Sequence, residues 1–591
     1  MAANTGFAGF SGHRQGNGDI AATEGLTSFS ITTNNRGFIG NYNLEIGKKY
    51  YWEVRAKSFG GSQDQLYIGV CKDDIDLTAN RGGGGVSGGG YGFENYNNNV
   101  YLSSSSSAGS GPGQFRSPPN NVRVKVDRVN HTISWALDDG SFSSTYSIPS
   151  TGRLYPWLGS GGGSNTAEAR ANFGQDSTFS GDLTAQTNTD QNGFSEFYYS
   201  VPSGFLACCN GNRGVDSNID PNLTDDDHPQ KQFTVEQYTG NNSSRTVNIG
   251  FQPDLILFKI PATGNSWSIT DTVRGGTASS TKTLKTDDES AESTGAFVAL
   301  TGYVSNGFTL TSSSGSDFNT NSTVYNAHCW RAGGAPSADN SAGAGNTPTA
   351  NSVKIDGSNL GSALAGSIPA TRLSANTKAG CSIITYAGTG SNGTIAHGLS
   401  QKPEFFWVKD RDRAESWNVY HVDIGATKYL VLNDVSTAET NSNRWNDTEP
   451  TSTTISLGTN DNTNGSSNYV CYAWHSVPGY SSFGSYSGSG QTDGRYIDLG
   501  FRPKFLIIKK FSEASTTYGW ANFNTSHQTS NKATFSGGWL DTGASWSGNY
   551  DVQILGSGFK MRNNNTNLDA SGKTYIYAAW GDCPAKYNNG F

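Results

Sequence analysis

Three segments in the last two-thirds of the chain carry one pattern, and a chain that repeats itself builds the same unit more than once. Gly250-Phe-Gln-Pro-Asp-Leu-Ile-Leu-Phe-Lys259 matches Gln401-Lys-Pro-Glu-Phe-Phe-Trp-Val-Lys409 and Gly500-Phe-Arg-Pro-Lys-Phe-Leu-Ile-Ile-Lys509. In each, a Pro stands six residues before a Lys (Pro253 and Lys259, Pro403 and Lys409, Pro503 and Lys509), with an apolar run of strand length between them. Pro suits the first position of a strand, where no ladder donor is missed. Upstream, a Tyr-x-Gly turn begins at Tyr238, Tyr386 or Tyr486. Downstream, Tyr325, Tyr469 and Tyr575 stand five residues before Trp330, Trp474 and Trp580. The Pro-to-Trp spacings are 77, 71 and 77 residues. The units are placed at 233–334, 382–480 and 481–591, a size that suits an antiparallel sandwich. Each is expected to be sealed by its own aromatic closing strand and to act as a separate rigid rod. Residues 335–381, rich in Ala, Gly, Ser and Asn, are expected to form an extended linker.

Composition supports an all-β reading. Charged residues make up 15% of the 591, against roughly 25% in an average soluble domain, and 75 residues are Gly. Ser, Thr, Asn and Gly favour turns over helices. Aromatics at 12%, with 13 Trp, still provide large side chains to bury. The expected fold is several β-sandwich domains in tandem. The net charge of −8 and the absence of any Lys/Arg cluster argue against a nucleic-acid partner. Apolar runs such as Leu255–Phe258 are strand-sized, so no membrane insertion is expected. Met1-Ala-Ala-Asn-Thr-Gly-Phe7 has neither a basic start nor an apolar core, so no signal peptide is expected. Seven cysteines without CxxC spacing read as reduced and mostly buried.

The first 180 residues follow a different pattern. Gly47-Lys-Lys-Tyr-Tyr-Trp-Glu-Val54 and Leu66-Tyr-Ile-Gly-Val-Cys71 read as strands. Val122, Val124 and Val126 alternate with Arg123, Lys125 and Asp127, the period of a half-buried strand. Thr132–Trp135 follows, then an Asp138-Asp-Gly140 turn expected to close a hairpin, Tyr155-Pro156, and Asn172-Phe-Gly174. This ordered series resembles the SPRY domain, a bent concanavalin-like β-sandwich, over roughly 30–180. The glycine-rich stretch Arg81–Tyr91 is not part of that family's pattern. Residues 181–232 read as a junction.

Tyr238-Thr-Gly-Asn241, Pro253-Asp-Leu255 and Cys329-Trp330, with looser versions in the other two units, resemble modules of marine bacteriophage tail-fibre and appendage proteins. That resemblance implies a virion location, assembly in the host cytoplasm and other virion proteins as partners. It also implies a homo-oligomer, with a trimer expected, and a host surface glycan or protein as ligand.

In SPRY-like domains, partners bind at loops on one end of the sandwich. The matching loop includes Gly82–Gly90, with Tyr91, Phe93 and Tyr96 behind it as ligand-binding candidates, since exposed aromatics stack on sugar rings or anchor a protein. Asp225-Asp-Asp-His228 lacks the calcium-loop pattern and reads as a solvated turn, and Asp287-Asp-Glu289 as an exposed acidic loop. No His pair has zinc spacing, so no metal or cofactor is expected. Gly85-Val-Ser-Gly-Gly89 has no strand before it or helix after it, unlike a nucleophile elbow. Gly572-Lys-Thr574 reads as the start of a strand, not a phosphate loop. Carboxylate pairs for glycoside hydrolysis are spatial, and sequence nominates none. The expectation is a receptor-binding tail fibre without catalysis. A head-decorating or connecting protein and a polysaccharide depolymerase are the alternatives.

Overall fold

In a computed structural model, the described residues are 8, 10–11, 20–23, 28–31, 37–61, 64–73, 75, 89–103, 106–161, 167–276, 280–295, 299–312, 318–492, 494–514, 519–527, 535–550, 552–562 and 564–588. Among the described residues almost all regular structure is β, beside short 3-10 turns and two four-residue α-turns, Ser442–Trp445 and Asp461–Asn464. Among the described residues, no helix is long and apolar enough to cross a membrane.

The N-terminal part is a sandwich of two antiparallel sheets. One is centred on Leu154–Gly161 and Gln65–Lys72, the other on Lys49–Phe59 and Asn120–Asp127. Val122, Val124 and Val126 face inward with Trp52, Val54, Ile68 and Val70, as their alternation dictates. Trp135 ties the layers together, its Nε1 donating to the Ile68 carbonyl at 2.9 Å. The turn closing the Asn120–Asp127 and Thr132–Leu137 hairpin is Arg128–His131, not Asp138–Gly140. The latter turns the chain toward Tyr146–Ser147, because Leu137 has already ended its ladder.

Residues 181–212 cover the outer side of this sandwich. Leu206–Ala207 runs parallel to Tyr50–Tyr51, and Phe197, Phe205 and Ala207 pack on Tyr51. Buried Glu53 gathers four donors here: the backbone N–H groups of Tyr198 and Tyr199, the Tyr51 hydroxyl and the Asn172 amide.

Each repeat has a large sheet and a small one. In the first, the large sheet runs Phe233–Thr239, Val324–Trp330, Leu255–Lys259, Ser268–Asp271, Lys282–Lys285, Ser293–Thr294. The second and third use the same order, with Cys381–Ala387, Asn468–Trp474 and Phe405–Asp410, and with Ser481–Ser487, Thr574–Pro584 and Phe501–Lys510, as their first three strands. The small sheet covers one face only. Ile256 and Phe258 point into that outer core, while Leu255 and Leu257 point the other way.

Those other faces meet one another. Residues of all three large sheets form one core, with Trp330, Trp474 and Trp580 at its centre. Their ring centroids lie 6.0, 5.4 and 5.6 Å apart, a near-equilateral triangle on a pseudo-threefold axis. Separately cored rods are therefore not what these sequences build. A strand apolar at every position needs cover on both faces, and each repeat supplies cover for one.

The expectation of an extended linker at 335–381 is also corrected. Ala370–Asn376 pairs with Cys381–Ala387, and Val353–Ile355 adds in parallel beyond it, giving the second repeat a nine-stranded sheet. Leu373, Ala375 and Val353 are buried in that repeat's outer core, which the small residues around them had disguised. None of the seven cysteines is in a disulfide.

Candidate functional site

Phe93 is not a surface ligand residue. It lies on Gly90–Glu94, fully buried between the two sheets against Phe115 and Trp135, because its strand position points inward. Tyr91 shares that inward face at its edge, half-buried against the core. Tyr96 is half-buried in the following turn, with the Arg116 guanidinium 4.0 Å from its ring centroid. Gly82–Gly88 lies outside the described residues, and so does most of the Gly85–Gly89 motif.

The Asp225–Asp227 turn is an ion-paired anchor. Asp226 pairs with Arg331 and Lys378, and Asp227 with Lys378 at 2.9 Å. Arg331 holds Asp226 below its ordinary carboxylate range. Among the described residues, no His, Cys, Asp or Glu cluster is arranged to hold a metal ion. Beside the turn is a polar cleft of about 270 Å³ lined by Asp226, Asp254, Arg331 and Lys378. Asp254 is buried at its base, accepting from the Thr272 hydroxyl and the backbone N–H groups of Ala332 and Gly334, and burial pushes its pKa up to about 6. Every charge there already has a protein partner.

Histidines 328, 397 and 421 are buried, which pushes each pKa down to about 4. Gly572 is a left-handed turn (φ 71°) leading into Thr574–Pro584, and Lys573 pairs with Glu513.

The repeat lysines are what sequence inspection underrated. Lys259, Lys409 and Lys509 are all buried, and burial lowers each pKa to about 8. Each reaches across to the next repeat around the axis: Lys259 to the Gly543 carbonyl (2.7 Å), Lys409 to that of Glu289 (3.2 Å), Lys509 to that of Asp434 (3.3 Å). Asp287-Asp-Glu289 is thus an inter-repeat contact more than a free loop. Asp288 pairs with Lys285 and the Glu289 carboxylate accepts from Ser416. The recurring Lys at a fixed distance from Pro was the visible signal. Its partners come from another repeat and were not visible.

A cavity of about 350 Å³ opens at Lys259, lined by Lys259, Lys285, Asn265, Ser266, Ser268 and Phe318. That volume is at the small end for small-molecule sites. Lys259 is at its buried side, while Lys285 keeps 41% side-chain exposure.

Comparison with known proteins fits this division of the chain. A family profile described as "Domain of unknown function (DUF7483)" matches residues 228–356 and 353–584, together more than half of the chain. The chain belongs to the DUF7483 family. The second DUF7483 match begins at the strand Val353–Ile355, where the structure also begins the second repeat's sheet. Ahead of the DUF7483 region, residues 49–176 match the SPRY domain profile, so the N-terminal sandwich is a SPRY domain. No curated protein matches. Among solved structures, the SPRY domain of human HERC1 is 11% identical, covering 26% of this chain and 91% of its own, with a TM-score of 0.20. The TRIM65 PSpry domain is 12% identical, covering 28% and 93%, with a TM-score of 0.22. Stonustoxin is 14% identical, covering 28% of each chain, with a TM-score of 0.21.

Proposed function

We propose that this chain is a bacteriophage virion protein, a tail fibre or appendage that attaches the particle to the host cell surface and catalyses no reaction. The observation that carries this reading is the fusion of the SPRY domain and the three repeats into one continuously packed body. Arg213, following the SPRY domain, forms a buried ion pair with Asp498 of the third repeat at 2.8 Å, and its guanidinium lies 4.2 Å from the Tyr42 ring. Asn43 N–H donates to the same carboxylate at 2.7 Å. Arg153 reaches the Tyr577 hydroxyl and the Ser485 carbonyl. Such clamping fixes the loops of four modules relative to one another, which suits binding through several weak contacts at once.

The threefold closure of one chain supports a second reading, a decorating protein seated on a threefold axis of the particle. Gold-labelled antibody against the chain, followed by electron microscopy and an adsorption assay, separates the two. Label on the tail with blocked adsorption is expected. Label on the head without a block favours decoration, and unlabelled particles overturn both.

A further inference from the structure

We propose that the cavity at Lys259 binds a single sugar residue through its hydroxyl groups; this deepens the adhesive reading and rests on it. The three equivalent lysines differ in what they bond, Lys509 donating to the Asp434 carbonyl. An ammonium has three donors. Lys409 uses all three, on the carbonyls of Glu289, Asp410 and Arg413. Lys259 uses two, on the carbonyls of Asn265 and Gly543, and it lines a cavity.

The Asp287 carboxylate stands near Lys259 without lining the cavity. Its charge acts on Lys259, and it takes a hydrogen bond from the Ser266 hydroxyl. The spare ammonium donor of Lys259 is the complement of a hydroxyl oxygen, which accepts from it. Asn265 and Ser268 add polar groups on the wall, and Phe318 adds an aromatic one. Phe318 is fixed by stacking on Phe258, centroids 3.9 Å apart. An aromatic wall with several convergent hydroxyl and amide groups suits a pyranose ring, which has one apolar face and a polar rim. The positive charges are largely offset, Lys285 by Asp288 at 3.3 Å and Lys259 by Asp287, so the chemistry favours a neutral polyol over a phosphate.

The test is saturation-transfer NMR of the full chain with glucose, N-acetylglucosamine and glucuronic acid, run beside a cell-binding assay on the bacterium in which the particle grows. Two variants accompany it. Gly264 lines the cavity and a Cβ there meets nothing within 4 Å, so Gly264→Trp is the variant chosen to obstruct it. Lys259→Met removes the buried donor. At least one neutral sugar is expected to bind the parent chain and not Gly264→Trp, and to bind Lys259→Met about tenfold more weakly, the loss of one charge-assisted hydrogen bond. If Lys259→Met does not fold, Gly264→Trp decides alone. No binding by any probe, or equal binding by parent and Gly264→Trp, overturns the proposal, as does binding of glucuronic acid only. Cell binding that persists while the sugars fail leaves the adhesive reading standing. Sugar binding without cell binding removes the adhesive reading and keeps the site.

Discussion

The indole N–H of Trp267 donates to the main-chain carbonyl of Trp539 at 2.7 Å, joining the first repeat to the third. The same bond recurs twice, from Trp417 to Lys285 (2.7 Å) and from Trp520 to Val431 (2.8 Å). Each runs from one repeat to the next in the same sense, so the ring closes. Main-chain bonds close it again: Glu292 N–H to the Arg411 carbonyl, Ala438 to Phe511, and Trp546 to Pro261. One chain thereby makes a threefold interface that a homotrimer would build from three.

Trp417→Phe leaves the Lys285 carbonyl without this donor and opens a small void. We expect a loss of about 2–4 kcal/mol, measured by denaturant unfolding, and similar losses for Trp267→Phe and Trp520→Phe. Near-zero losses at all three would show that the ring bonds do not hold the body together.

The third repeat expressed alone, residues 481–588, is expected not to fold. Its inner face, with Phe505, Ile507, Ile576 and Trp580, is buried in a core shared with the other two repeats. Residues 229–588 together are expected to give one cooperative transition. A monomeric, sharply melting single repeat would contradict the shared core.

Gly488→Ala is expected to destabilise the third repeat by about 1–3 kcal/mol, read as a lowered melting temperature. A Cβ there would stand 2.1 Å from the Ala570 carbonyl oxygen, and the corresponding Gly240 and Gly388 meet carbonyl oxygens at 2.2 and 2.0 Å. An unchanged melting point would mean the crossing loop gives way.

Arg213→Met strands the Asp498 carboxylate in a dry interface, at an expected cost of about 3–5 kcal/mol. Limited proteolysis should then cut between the SPRY domain and the repeats, where the parent chain resists. Arg213→Met combined with Asp498→Leu should recover most of the loss. A double variant as weak as the single one would mean the ion pair is not the clamp.

Burial outweighs the four hydrogen bonds to Glu53 and raises its pKa from 4.5 to about 7. A raised carboxylate gives stability that is fully present below the unfolded value and lost as pH rises through the folded one. From pH 5 to 7.5 the parent chain should therefore lose on the order of 3 kcal/mol relative to Glu53→Gln, which has no proton to release. Parallel stability–pH curves for the two would refute the assignment.

Sequence alone determined the all-β class, the SPRY domain and the three repeats, and the structure supplies the reason each landmark recurs. The tyrosine pairs Tyr238 and Tyr325, Tyr386 and Tyr469, and Tyr486 and Tyr575 stack at 5.2, 5.2 and 5.0 Å in the three outer cores, and the glycines beside them have no room for a Cβ. Those contacts lie within one repeat, so they leave the same imprint in every copy. Tertiary structure alone decided that Trp330, Trp474 and Trp580 share one axis, that the 353–376 segment is sheet, that Phe93 points inward, and that Lys259 borders a cavity. An apolar strand records that both its faces are buried but not what buries them. The partners here lie in the other two copies of the unit, which nothing in the local sequence brings together.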